Sequence, residues 1–310
     1  MGVVLVNNER DPVLSAELRR RGHEPIAVDA GQLPHALAGA DAVYANPPTR
    51  ITASLIAGAP RLRVVAAGGA GLDHIDVDAA AAAGVTVVDA RGVGSSAVAE
   101  HTLGAMIALA KQLLVVDRAV RAGDFGVRWR LPFTELHGKT LGIVGYGHIG
   151  RAIAVRARAF DMTVLATRAV ALDDLLRRSD YVSVNVPLTA ATRGLLGARE
   201  LALMKPTAFL VDTSRGGVVD EAALHAALAA GRLAGAAIDV FAAEPAPPSG
   251  PLLELPNVIV TAHCAGITQE VIHRMARVVA NTIADILDGF AVDVTGPSPN
   301  TNAPYSDQSA

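Results

Sequence analysis

Short apolar runs alternate along this chain with longer segments whose apolar residues recur every three or four positions. VVLVN (3–7), AVYAN (42–46), LRVVAAG (62–68) and VTVVDA (85–90) are rich in β-branched residues and predict strands. DPVLSAELRRRG and ITASLIAGAP, lying between them, carry a helical period. A second series starts at Thr140 with TLGIVG, TVLAT, YVSVNV, AFLVDT, GAAIDV and NVIVTA. These runs are continuously apolar, as strands covered on both faces of a parallel sheet must be. The expected fold class is α/β, with two doubly wound parallel sheets.

Between the two series, SSAVAEHTLGAMIALAKQLL (95–114) places Val98, Met106, Leu109 and Leu113 at helical spacing, with Ser95 or Ser96 able to cap it. It predicts one long connecting helix. TQEVIHRMARVVANTIADIL (268–287) puts Val271, Ile272, Met275, Val278, Val279, Ile283 and Ile286 on one face. The final TGPSPNTNAPYSDQSA reads as a loose tail.

Composition narrows the classes. With 310 residues, 51% of them hydrophobic and 18% charged, the chain can bury two ordinary cores. A net charge of −3 offers no basic face for nucleic acid. No apolar run is long enough to span a membrane, and the N-terminus lacks the basic and long apolar regions of a signal peptide. The one cysteine, Cys264, excludes an internal disulfide and a cysteine-based zinc site. A cytoplasmic protein without a metal site is the expectation.

The run LGIVGYGHIGRAI (141–153) carries three glycines at a meaningful spacing. Gly145 permits a tight turn out of a strand, Gly147 lets backbone approach a pyrophosphate, and Gly150 lets the next helix pack against the sheet. With His148 and Ile149 they form a dinucleotide cradle at a helix N-terminus. Such motifs have an acid about 20 positions on, which holds the ribose 2′-hydroxyl. At that place stand Thr167 and Arg168. An arginine there suits a 2′-phosphate, which favours NADP over NAD.

VDTSRGG (211–217), IDVFAAEP (238–245) and VTAHCAG (260–266) carry polar residues at strand ends, where open α/β sheets bind ligands. Hydride transfer to a 2-oxo acid needs a cation for the carboxylate and carbonyl, and a general acid for the developing alkoxide. A carboxylate beside a histidine favours its charged form and sets its tautomer. Arg215, Glu244 and His263 supply that set, at the ends of consecutive strands. Alternation along a strand would turn Cys264 away from the face that His263 presents.

AGLDHIDVDAA, AVAEHT, LHGKTLGIVGYGHIG, NVPLTAATRGLLG, LMKPTAFLVDTSRGGVVDEAAL, AAIDVFAAEP and LPNVIVTAHCAG together resemble the D-isomer-specific 2-hydroxyacid dehydrogenases, over about residues 40 to 290. The resemblance implies a Rossmann-type dinucleotide-binding domain (96–272) inserted in a discontinuous, flavodoxin-like substrate domain (1–95 and 273–310). It implies catalysis by Arg215, Glu244 and His263, and backbone N–H groups of Gly69, Ala70 and Gly71 on the substrate carboxylate. Thr102, Pro187, Thr192, Thr213 and Asp239 would line the cofactor, with Asp239 near the nicotinamide carboxamide. A homodimer paired mainly through cofactor domains is also implied.

Departures from the family pattern bear on these expectations. About a dozen residues are missing between VLAT and LDDLLRRSD, so a helix and a small strand near the adenine should be absent, which loosens the placing of Arg168. Asn185 stands where many members have histidine, Asp212 where many have asparagine, and Ala262 where proline is common. Neither Asn46 nor Ala67 is basic, which points away from a phosphorylated acid and towards glyoxylate, hydroxypyruvate or a pyruvate-like acid. Asn46, Pro47 and Trp129 are candidates for shaping that pocket, Trp129 equally for an interface anchor. The same fold also leaves open a non-catalytic regulator that senses NAD(P)(H), and a formate or phosphite dehydrogenase.

Overall fold

The computed structural model describes residues 1–69, 71–247 and 249–292. Two compact units emerge: Met1–Gly94 with Ile267–Ala310, and Ser95–Gly266. Among the described residues no helix is long and apolar enough to cross a membrane.

In the first unit the strands are β1 (Val3–Val6), β2 (Glu24–Ala27), β3 (Ala42–Ala45), β4 (Val64–Ala67) and β5 (Thr86–Val88), and the helices α1 (Val13–Arg20), α2 (Leu33–Ala36), α3 (Ala53–Ala57) and α4 (Val77–Ala82). All strand pairs are parallel, in the order β2-β1-β3-β4-β5. Alternate residues supply two cores. Val4, Val6, Tyr44, Val64 and Ala66 pack on one face, and Leu5, Val43, Ala45, Val65 and Ala67 on the other. The edge strand β2 has no buried residue to mark it: its sequence is EPIA, and every residue but the half-buried Pro25 is exposed. An edge strand needs no second buried face, and proline is tolerated there.

The second unit opens with α5 (Ser95–Ala110) and α6 (Leu113–Arg121). The 95–114 segment is thus two helices and not one. Gln112 sits in the left-handed region with φ 46°, which no continuous helix allows. β6 (Thr140–Val144), α7 (His148–Arg158), β7 (Thr163–Ala166), α8 (Leu172–Arg178), β8 (Tyr181–Val184), α9 (Ala198–Leu201), β9 (Phe209–Asp212), α10 (Glu221–Ala229), β10 (Gly235–Ile238) and β11 (Val258–Val260) follow. The final helix α11 (Gln269–Leu287) returns to the first unit and packs on α1.

The six-stranded sheet runs β11-β10-β9-β8-β6-β7, parallel throughout. Only residues 167–171 join β7 to α8, so the strand that usually lies outside β7 is absent. Leu141, Ile143, Tyr181, Val211 and Ala237 face α5 and α7, while Val182, Val184, Leu210, Ala236 and Ile238 face the opposite helices. The order reverses beside β6, with β7 to one side and β8 to the other. That places the switch point, where open sheets bind ligands, at the glycine turn.

Candidate active site

Gly145 follows β6 directly at φ +95°, and a Cβ there would lie 2.6 Å from the Asn185 carbonyl oxygen. Its N–H donates to the Thr167 hydroxyl at 3.1 Å, which ties the glycine turn to the end of β7. A Cβ on Gly150 would sit 2.3 Å from the Gly145 oxygen, so α7 approaches the strand only with glycine there. Gly147 differs: a Cβ would meet nothing within 4 Å. Protein packing does not demand glycine at 147, but close approach of a phosphate to the α7 N-terminus does. His148 and Ile149 form the first helical turn and are half-buried. The cradle fits a dinucleotide.

Arg168 is exposed and has no ion-pair or hydrogen-bond partner among the described residues. Pro187 and Thr192 share one loop. The Thr192 hydroxyl donates to the Pro187 carbonyl at 2.6 Å and accepts the Thr189 N–H at 2.8 Å, so its primary task is to hold that loop. Thr102, expected to line the cofactor, lies on α5. It is fully buried, and its hydroxyl donates to the Val98 carbonyl at 2.8 Å on its own helix. Nothing in its sequence position revealed that it faces into α5 packing.

The loops after β9, β10 and β11 carry Arg215, Glu244 and His263 on three neighbouring strands. His263 Nδ1 and Glu244 Oε2 are 2.8 Å apart. Glu244 is itself fixed, because its Oε1 accepts the Phe241 N–H at 3.0 Å. The pair directs His263 Nε2 as the free ring nitrogen. Arg215 Nη1 donates to the Ser214 carbonyl at 2.7 Å. The neighbouring Gly216 is required sterically, since a Cβ there would lie 1.8 Å from the Phe241 carbonyl oxygen. The Arg215 loop and the Glu244 loop are therefore in backbone contact.

His263 lies beyond β11, in the left-handed region at φ +52°. For a histidine this is an unfavourable conformation that surroundings must hold. Asp239 holds it. Its carbonyl accepts the His263 N–H at 2.7 Å, and its carboxylate accepts from Cys264 N at 2.9 Å, Ala265 N at 3.0 Å and the Thr261 hydroxyl at 2.5 Å. Strand alternation consequently does not govern Cys264, which is half-buried in this turn.

A cavity of about 260 Å³ is lined by His101, Thr213, Asp239, Ile259 and Thr261 among others. Thr213 Oγ1 is buried there with no hydrogen-bond partner, an orphan that a ligand amide or ribose would satisfy. His101 Nε2 reaches the Thr261 hydroxyl at 3.3 Å. Since that hydroxyl donates to Asp239, it accepts from His101. His101 and Thr261 were not singled out by sequence reasoning, although both lie inside motifs quoted for the resemblance.

Asp212, at the end of β9, is buried, with its carboxylate accepting from Ser214 N at 2.9 Å and Ser214 Oγ at 2.6 Å. Burial pushes its pKa up to about 6, and the Ser214 hydrogen bonds offset only part of this.

In the first unit, Gly69 and Gly71 are half-buried, and their N–H groups have no acceptor among the described residues. Ala70 lies outside the described residues. Asn46, expected to shape the substrate pocket, is a buried brace between loops. Its amide is engaged by Gly68, Tyr44 and Asn8, and it is only 4% exposed. Trp129 is 81% exposed, and the Arg128 guanidinium lies 5.1 Å from its ring and 4.7 Å from the Phe125 ring.

Residues 103–265 match the family profile described as D-isomer specific 2-hydroxyacid dehydrogenase, NAD binding domain. A glyoxylate reductase of Aeropyrum pernix is 41% identical over 273 residues, covering 81% of this chain and 81% of that protein. This chain belongs to the D-isomer specific 2-hydroxyacid dehydrogenase family. It is an oxidoreductase family, and the matched segment is its domain for a nicotinamide dinucleotide. A glyoxylate reductase of Korarchaeum cryptofilum is 41% identical over 209 residues, 62% of this chain and 63% of the reductase, so the chain spans somewhat under two thirds of that relative. Among solved structures, the TT0316 protein of Thermus thermophilus superposes with a TM-score of 0.84 at 34% identity, over 94% of this chain and 98% of that one.

Proposed function

We propose that the protein reduces a small 2-oxo acid to its 2-hydroxy acid, with glyoxylate, hydroxypyruvate and pyruvate-like acids as the substrate class. The observation that carries this reading is the 2.8 Å His263–Glu244 pair beside Arg215, within a cofactor domain of this family. When bound, a reduced nicotinamide dinucleotide supplies the hydride. Arg215 contributes a planar fork that holds carboxylate and keto oxygens together, which a lysine cannot reproduce. His263 Nε2 donates the proton to the developing alkoxide oxygen, while Glu244 keeps Nδ1–H in place. The N–H groups of Gly69 and Gly71, without an acceptor among the described residues, suit the substrate carboxylate.

NADPH is the cofactor we assign, supported by the exposed Arg168, which has no partner among the described residues, where an acid would favour NADH. We also assign a homodimer. It is supported by α6, which has no buried residue, and by the exposed Leu113, Leu114, Phe125 and Trp129 around it.

The test is a panel of glyoxylate, hydroxypyruvate, pyruvate, formate and phosphite with each dinucleotide. Turnover of the 2-oxo acids, and a loss of about 10²–10⁴ in kcat for His263→Asn with dinucleotide affinity kept, is the expected result. Turnover only of formate or phosphite, or dinucleotide binding without turnover, would replace this reading with a different dehydrogenase or with a sensor.

A further inference from the structure

The first unit contains a polar cluster beneath its glycine loop that no catalytic role has used. Asn46 Nδ2 donates to the Tyr44 hydroxyl at 2.9 Å and to the Asn8 carbonyl at 3.2 Å. Asn46 Oδ1 accepts the Gly68 N–H at 3.1 Å. Both side chains are buried, with Tyr44 5% and Asn46 4% exposed. Gly68 is glycine because of them: a Cβ at 68 would lie 2.2 Å from the Tyr44 hydroxyl and 2.4 Å from Asn46 Oδ1. The next residue, Gly69, is held from its other end, where its carbonyl accepts the Ala90 N–H at 3.2 Å. Its own N–H points to no acceptor among the described residues, and a Cβ there would meet nothing within 4 Å.

We infer that Tyr44 and Asn46 are positioning residues that set the direction of the Gly69 N–H for the substrate carboxylate, acting through Gly68. The inference rests on the 2-oxo acid reading above. An amide side chain suits the task because it joins three separate loops at once: Asn8 after β1, Asn46 after β3 and Gly68 after β4. The Tyr44 ring lies in the core of this unit, so its hydroxyl is a fixed point for the Asn46 amide. A serine or alanine at 46 would leave the Gly68 N–H and the Tyr44 hydroxyl without their partner in a buried place, which is costlier than losing an exposed bond. Asn46 thereby affects the substrate without touching it.

The deciding experiment compares Tyr44→Phe, Asn46→Ala and the double variant. The readouts are KM and kcat for glyoxylate, inhibition by oxamate, NADPH affinity and melting temperature. Tyr44→Phe keeps the ring and should raise KM and the oxamate inhibition constant about fivefold, the weight of one neutral hydrogen bond. Asn46→Ala should raise both by more. The double variant should match Asn46→Ala, since the hydroxyl acts only through the amide. NADPH affinity should hold in all three. If Asn46→Ala does not fold, Tyr44→Phe decides alone. An unchanged KM in Tyr44→Phe overturns the inference, and a raised KM in Asn46→Ala beside it means that Asn46 touches substrate itself. A fall in melting temperature with KM unchanged makes the cluster merely structural. If the wild-type protein reduces no 2-oxo acid and binds no oxamate, the functional reading fails first and this inference falls with it.

Discussion

At the end of β6, Gly145 is held at φ +95° with backbone 2.6 Å from where its Cβ would be. At the end of β4, Gly68 is outside the left-handed region, and it is two side chains, Tyr44 and Asn46, that keep it small. Each run then presents a glycine with open space around it, Gly147 in one and Gly69 in the other. The first opens onto a helix N-terminus, where N–H groups converge and the dipole favours phosphate. The second has no helix behind it until α4 at Val77, and a side-chain amide orients it instead. Two similar glycine runs thus differ in what fixes them. Backbone geometry fixes the first, so its sequence spacing is recognisable. Side chains distant in sequence fix the second, so its spacing is not.

The comparison breaks most visibly at Gly145. Gly145→Ala combines a strained φ with a backbone clash, and should lower stability by about 3–5 kcal/mol in thermal or urea unfolding. A near-native melting temperature would show that the turn is not backbone-determined.

Asp212 offers the next largest effect. Its pKa is raised from 3.8 to about 6, so the folded protein holds the proton more tightly than the unfolded chain. Its contribution to stability is fully present below pH 4 and is lost as pH rises from about 4 to 6. Asp212→Asn keeps an acceptor for Ser214 and never ionises. It should therefore be more stable than the wild-type protein by up to about 3 kcal/mol at pH 8, with the gap shrinking towards pH 4. Melting curves across that range check it, and a pH-independent difference would rule it out.

Gly147→Ala sharpens the comparison. With nothing within 4 Å of its Cβ, the variant should fold with stability within about 1 kcal/mol of wild type. Its dinucleotide affinity should nevertheless fall about tenfold or more in a fluorescence titration, from the lost close approach. Equal affinity would mean that the cradle is read wrongly. The smallest effect belongs to Arg168→Ser, which should lower the NADPH-to-NADH preference several-fold, in keeping with a partly exposed charged contact. A ratio that stays put would leave the choice of cofactor to other residues.

Much of the architecture was legible because buried parallel strands write themselves as continuous apolar runs. β1, β3, β4, β5 and all six strands of the second unit stand inside runs predicted from sequence. The edge strand β2 was not legible, since one-sided, exposed pairing needs no apolar pattern. Nor was the break between α5 and α6, because neither glycine nor proline stands at Gln112 to mark its left-handed turn. The strand-end chemistry was legible in residue type: a histidine, a glutamate and an arginine follow consecutive strands whose order in the sheet is also consecutive.

Sequence alone therefore determined the two parallel sheets, the glycine turn after β6 and the placing of Arg215, Glu244 and His263 after three neighbouring strands, since each depends on periodicity or on spacing within one local segment. Only tertiary structure decided what Thr102, Asn46, Asp239 and Tyr44 do. Thr102 turns into its own helix, Asn46 joins three loops, and Asp239 holds His263 at a positive φ. Burial and hydrogen-bond partners arise from residues tens of positions apart, and no local pattern records which polar side chain the fold will enclose and which it will leave for a ligand.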